Sequence, residues 1–322
     1  MVGFKSIRKH FVFWFFIVAV LPLIIVILIV YYQRVVDIKS EESQKLIAIR
    51  DLKVEHLELW LNERINDINT LAETGEIKEL EEAFTGQASP EEGQTKRNAA
   101  NEILTRYVRS HRDYGSLFIL NAFTADIDIT TDGVTQGQNR AEEPYFTEPL
   151  RTGGLYIKDI YYSKVLNKLT MAFAAPVRCL SHKGKHIIAI VVARVNLDQS
   201  LYPILIDRTG LGKTGETYIV NTDLLPLTKL RWKEDAQLTF KIKTHDAIMA
   251  ASGNHGIIEA SDYRAEKVLA AYTFIDTMQW GFVAKQDIAE VYAPINTMIF
   301  NMGILLGVSV IGVNIIAFFI TK

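Results

Sequence analysis

Three features of this 322-residue chain have residue types and spacings that could do chemistry. Gly210, Gly212 and Gly215 spell G-x-G-x-x-G, and Gly212-Lys213-Thr214 imitates the end of a phosphate-binding loop. His182 and His186 stand four apart, the spacing of a zinc pair on one helix turn. Arg194 lies inside the apolar run 186–195, where an unpaired guanidinium is costly, so it should face a partner or a cavity.

The first two fail on context. A dinucleotide site needs a strand before the glycines and a helix after them. Here a helical pattern over 197–208 precedes them and a strand pattern over 216–221 follows. The leading glycine of a phosphate loop would fall at Asp207. The glycines therefore read as a helix stop and an interdomain turn. His182 and His186 flank Gly184 in a hairpin signal with no third ligand in view, and one cysteine rules out a multi-cysteine zinc cluster within one chain. G-x-S-x-G and H-E-x-x-H are absent. No metal, cofactor or enzymatic role is expected, and Cys179 reads as a packed strand residue.

The elements that would position a site are framed by two apolar runs. Residues 11–32 and 298–320 carry no charge and are each long enough to cross a hydrocarbon core of about 30 Å. The first exceeds a signal-peptide core and lacks a small-x-small cleavage site. Lys5, Arg8 and Lys9 precede it, whereas Arg34 and Lys39 beyond it are mixed with Asp37, Glu41 and Glu42. The positive-inside rule places residues 1–10 and the C-terminus in the cytoplasm and residues 33–296 outside the cell membrane. The chain is thus neither a multi-span channel nor a wholly soluble enzyme. A formal net charge of −2 argues against an overall polybasic nucleic-acid binder.

Between the spans, Leu46, Ile49, Leu52, Leu57, Trp60, Leu61, Ile65, Ile68, Leu71 and Ala72 recur at helical steps. With no Pro or Gly between Val35 and Thr74, one stalk helix over 33–75 is expected. Residues 86–93 read as a loop and 95–110 as a second helix. Strands are expected at 117–121, 127–131, 156–162, 169–178 and 186–195, and again at 216–221, 239–243, 256–260, 267–273 and 280–285. Helices followed by antiparallel strands, twice, is an α+β pattern: a membrane-distal module over 76–200 and a proximal one over 201–295.

This layout resembles the double Cache sensor region of bacterial transmembrane receptors, whose modules are PAS-like. Four stretches carry the resemblance: RAEEPYFTEPL (140–150), LYIKDIYYSKVLNKLTMAFAAPV (155–177), VARVNLD through DRTGLGKTGE (191–216), and VLAAYTFIDTMQWGFVAK (268–285). The resemblance implies a ligand-sensing input region, as in sensor kinases, chemoreceptors and cyclases, that binds a small polar molecule in the distal module. By position it nominates Glu143, Tyr145, Phe146, Tyr161 and Arg194, with Arg140 and Asp159 nearby. The aromatic residues suit pocket walls and Arg194 a directed charge.

In amino-acid-binding members of that family an arginine two residues before the aromatic pair holds the carboxylate, and an aspartate on the last strand holds the amine. Here those positions match Glu143 and Arg194, so the charges are exchanged. Either Glu143 and Arg194 pair with each other, or Arg194 takes an anionic ligand group. Small organic acids are then expected over common α-amino acids. The chain stops two residues after the second span, with no output module in it. It is expected to be a receptor's input region or, alternatively, a stand-alone binding module acting through a separate transporter or signalling partner. Surplus apolar positions on the stalk, and Gly303 and Gly307 in the second span, favour a parallel homodimer.

Overall fold

The computed structural model describes residues 4–181 and 184–320. Helix α1 (Phe4–Ala72) runs unbroken for 69 residues, about 100 Å, so the first apolar run and the stalk are one rod. Pro22 falls within the membrane-length apolar part, where a helical proline is tolerated. Two short helices, α2 (Gly75–Lys78) and α3 (Leu80–Thr85), turn the chain into α4 (Pro90–Ser110). The loop expected over 86–93 is therefore half helix. Ser89 Oγ accepts from the Glu92 amide and Glu92 accepts from the Ser89 amide, a capping box with Pro90 in the first turn.

The first sheet contains β1 (Tyr114–Asn121), β2 (Ile127–Thr130), β3 (Tyr156–Ser163), β4 (Lys168–Arg178) and β5 (Ile187–Val195), in the antiparallel order β2-β1-β5-β4-β3. Helix α5 (Pro144–Thr152) lies across it. After α6 (Leu201–Ile206) comes a second sheet of β6 (Glu216–Val220), β7 (Gly256–Ser261), β8 (Lys267–Ile275) and β9 (Trp280–Asp287), in the order β6-β9-β8-β7. Helix α7 (His245–Ala251) packs on β8 and β9. Helix α8 (Ile288–Val291) leads into α9 (Ala293–Ile320). The architecture is α+β, and the N-terminal part of α1 and the Ala293–Ile316 part of α9 are long and apolar enough to cross a membrane. Of the sequence expectations, His182, Thr321 and Lys322 lie outside the described residues.

Alternation explains how the sheets bury both faces. On β5, Ala189, Val191, Ala193 and Val195 join a core with Leu57, Trp60, Leu61 and Ile68 of α1. Ile190 and Val192 face the other way, into a core with Phe118, Tyr145 and Phe146. Period two then puts Arg194 on this second face. The first core also takes in Ile219, Trp280 and Phe282 of the second sheet, so α1 is packed against both modules. Polar anchors repeat this along its length. Arg64 pairs with Asp113, Lys53 Nζ donates to the carbonyls of Ile204 (2.6 Å) and Asp207 (2.7 Å), and Arg50 donates to that of Tyr272 (3.1 Å).

Three elements depart from the sequence expectations. No strand forms at 239–243: the segment lacks a neighbouring strand, and Ile242 is buried as part of a loop whose amide donates to Leu224. The helix expected over 197–208 is confined to Leu201–Ile206, because 197–200 make turns, Ser200 donating to the Asn196 carbonyl. Helix α7 was not expected; its seven residues are too few to show a period. Gly281 admits it, since a Cβ there would lie 2.7 Å from the Ala251 nitrogen.

Candidate functional site

A cavity of about 500 Å³ opens on the Arg194 face of the first sheet, under α5 and the β3–β4 hairpin. Arg140, Glu143, Tyr145, Lys158, Tyr161, Lys164 and Arg194 are among its lining. Arg194 is 3% exposed, and its guanidinium lies over the Phe118 ring, 4.5 Å from the centroid. Its Nη1 meets Asp132 Oδ2 at 3.2 Å and Ser116 Oγ at 3.5 Å. Its Nε is buried without a hydrogen-bond partner among the described residues, and so is Nε of Arg140.

Asp132 belongs to the turn after β2. Burial opposes its charge, but the Thr135 and Val134 amides and the Thr135 hydroxyl hold its carboxyl below the usual range. Four donors thus divide this carboxylate, and Arg194 has only a share of it.

Glu143 is the residue before α5, and its carboxylate accepts from Lys158 Nζ at 2.7 Å. The expected alternative of a Glu143–Arg194 pair is corrected: each has its own partner, Lys158 and Asp132. The same ammonium sits 4.4 Å from the centroid of Tyr161 and 5.2 Å from that of Tyr145. Burial, then the Glu143 charge, pushes the Tyr145 hydroxyl up to about 12. Burial also raises Tyr161, with Arg194 beside it working in the opposite sense. Both phenols are therefore neutral donors at pH 7.

Lys158 and Tyr161 are three apart, which on a regular strand would put them on opposite faces. The register of β3 on β4 shifts between them, from Lys158 opposite Ala172 to Tyr161 opposite Thr170. This bulge returns both to the cavity.

Two nominated residues are placed elsewhere. Phe146 is buried in the core beside Tyr145 and does not line the cavity. Asp159, in the bulge, accepts from Trp280 Nε1 of β9 at 3.1 Å, and so joins the two modules. Sequence reasoning missed Lys158, Lys164 and Asp132. The first two stand within the quoted 155–177 stretch, and Asp132 precedes Gly133 (φ +65°) in a T-D-G turn signal.

A larger hollow of about 650 Å³ lies at the far end of the same sheet, bordered by Phe123, Arg178 and Glu81. Its interior charges are used by the fold: Arg178 holds the Gly153 carbonyl (2.8 Å), and Glu81 holds the Leu180 amide (2.7 Å). The glycine loop 210–215 is likewise used by the fold: its Lys213 and Thr214 amides donate to the Glu290 carboxylate at 2.7 and 2.8 Å.

Solved structures share this architecture. The ligand-binding domain of the Campylobacter jejuni chemoreceptor Tlp3, in complex with 4-methylisoleucine, matches with a TM-score of 0.59 at 11% identity, covering 79% of this chain and 94% of that one. The ligand-binding domain of the Pseudomonas fluorescens chemoreceptor CtaA, in complex with L-isoleucine, matches at 0.55 and 13%, covering 80% and 97%. The sensor domain of the Vibrio cholerae histidine kinase DctB matches at 0.55 and 9%, covering 79% and 98%. At these identities the likeness is one of fold. No curated protein matches the sequence. The Cache domain family, in its dCache_1 form, matches residues 37–295, and the chain belongs to that family.

Proposed function

We propose that the chain is the extracytoplasmic input region of a transmembrane signal-transduction receptor, and that the cavity beside Arg194 binds a small organic acid. Sensory ligand binding is what the Cache family does. The observation that carries the finer reading is charge: four cations, Arg140, Lys158, Lys164 and Arg194, line the cavity against one carboxylate, Glu143. Two of the guanidinium Nε–H groups are buried and unpartnered among the described residues, a cost that an anionic ligand would relieve. The amino acids in the complexes of Tlp3 and CtaA carry an ammonium as well. Here the lining carboxylate that would receive one already holds Lys158.

In this reading, α1 and α9 cross the cell membrane with both termini cytoplasmic, and binding alters their relation. Two copies associate in parallel along α1. The input is passed to an output module or to a separate signalling partner, and the ligand is bound without turnover. A thermal-shift screen of the full chain in nanodiscs at pH 7 tests it, with monocarboxylates, dicarboxylates, hydroxy acids, phosphates and α-amino acids. Stabilisation by carboxylates, lost on Arg194→Met, is the expected result. Stabilisation by neutral α-amino acids alone would overturn the organic-acid reading.

A further inference from the structure

The two sheets repeat one register around their cationic strand. Arg194 on β5 stands between Ser116 of β1 and Ala172 of β4. Lys285 on β9 stands between Glu216 of β6 and Ala270 of β8. Two residues along from Ser116, Phe118 underlies Arg194; two along from Glu216, the Tyr218 ring lies 5.7 Å from Lys285 Nζ. The hairpins correspond as well. Ser163 pairs with Lys168 at the end of β3–β4, and Lys164 follows on the cavity rim. Ser261 pairs with Lys267 at the end of β7–β8, and Asp262 follows. Lys285 is therefore the counterpart of Arg194, and Asp262 that of Lys164.

The contents of the two sites differ. Lys285 is 1% exposed, and its Nζ meets Asp262 Oδ2 at 2.6 Å and Glu216 Oε2 at 3.2 Å. The Tyr263 ring is 4.0 Å from the same nitrogen. A buried ammonium needs such partners, and here the chain supplies them. We propose that Asp262 is a built-in ligand: the proximal module holds a carboxylate-binding site of the distal design, filled by a side chain from its own hairpin. Where the distal hairpin carries Lys164 instead, the anion comes from solution; this last clause rests on the function proposed above, and the proximal assignment does not.

The filled site is tied to the second span. Arg264 bonds Asp262 at 2.7 Å and also pairs with Asp287, the last residue of β9 before α8. An occupant at Lys285 thereby fixes the segment that enters α9.

The test empties the site and refills it. Asp262→Ala in the full chain removes a carboxylate of about the volume of formate. Thermal unfolding in nanodiscs, followed by tryptophan fluorescence, is compared in sodium formate and in sodium chloride at equal ionic strength. In chloride the variant is expected to lose roughly 6–20 °C in Tm, the range for breaking a buried pair in a protein of this size. Formate is expected to recover at least about half of that loss, saturably, over and above whatever it adds to wild type and to Asp262→Ala/Lys285→Met, in which the proximal site is filled or lacks its cation. If Asp262→Ala does not fold in chloride, refolding yield replaces Tm, and recovery in formate alone supports the assignment. Equal behaviour in the two salts, or formate rescue that survives Lys285→Met, overturns it. All three chains share the distal cavity, so any formate bound there cancels in the comparison and the outcome does not depend on the function proposed above.

Discussion

Glu290 offers a prediction whose size and sign both follow from geometry. It lies on α8, between the second sheet and α9, and its carboxylate accepts from the Lys213 amide (2.7 Å), the Thr214 amide (2.8 Å) and the Thr214 hydroxyl (2.5 Å). The same hydroxyl accepts from the Asp287 amide at 3.1 Å. Gly212 makes room for this clamp: at φ +66°, a Cβ would lie 2.5 Å from Glu290 Oε1. Burial opposes the charge, but these donors outweigh it and bring the carboxyl from 4.5 to about 2. That gap corresponds to about 3 kcal/mol of preferential hold on the ionised form. Glu290 is partly exposed, so solvent screening brings the stabilisation nearer about 1.5 kcal/mol. Glu290→Gln turns an amide NH₂ toward donors, and should lower Tm at pH 7 by about 3–6 °C. The folded carboxyl titrates below the unfolded one. Its contribution is thus complete above pH 4.5 and lost as pH falls toward 2. The Tm gap between wild type and Glu290→Gln, measured by fluorimetry in nanodiscs, should narrow below pH 4.5 and close near pH 2. No gap at pH 7, or a gap unchanged at pH 3, would refute the reasoning.

Asp159 titrates in the opposite sense: burial raises its carboxyl, so its charge costs stability once pH rises past the unfolded value near 3.9. Asp159→Asn keeps an acceptor for Trp280, so Tm at pH 7 should be equal or higher and acid affinity unchanged within about twofold. A lower Tm, or lost binding by calorimetry, would count against its placement between the modules. On α1, Leu52 and Leu59 are 53% and 55% exposed and seven residues apart on one face, whereas Leu57 and Leu61 are buried in their own chain. Single cysteines at 52 and 59 should crosslink two copies in membranes while those at 57 and 61 do not; crosslinking at neither outer position would remove the α1 dimer seam.

The fold was legible where local signals are long. The unbroken helical period of α1 and the apolar runs of β4, β5, β8 and β9 survive because the helix is long and each of the strands is buried along most of its length. Short elements were not: α7 is set by the room over Gly281, a tertiary fact. Capping chemistry decided one boundary, since Ser89-Pro90 starts α4 inside what composition marks as a loop. In the site, Arg194 was legible because a guanidinium in an apolar strand demands an explanation. Its partner was not, because Asp132 stands 62 residues earlier in the chain and reaches it only once β1 and β5 pair. Lys158 was hidden by the bulge, which changes the face it points to. Matching Glu143 to Arg194 by charge alone ignored the nearer Lys158, which β3 brings under α5.

Calorimetric titration of the full chain with the best-stabilising carboxylate tests the central claim most directly, using wild type, Arg194→Lys and Arg194→Met. Lysine keeps the charge but cannot present two fixed N–H groups to one carboxylate. Affinity should fall about ten- to hundredfold in Arg194→Lys and further in Arg194→Met, with Tm of the unliganded chains showing that both variants fold. Undiminished binding of the acid by Arg194→Met would contradict the account, as would tight binding of a neutral α-amino acid abolished by the same substitution.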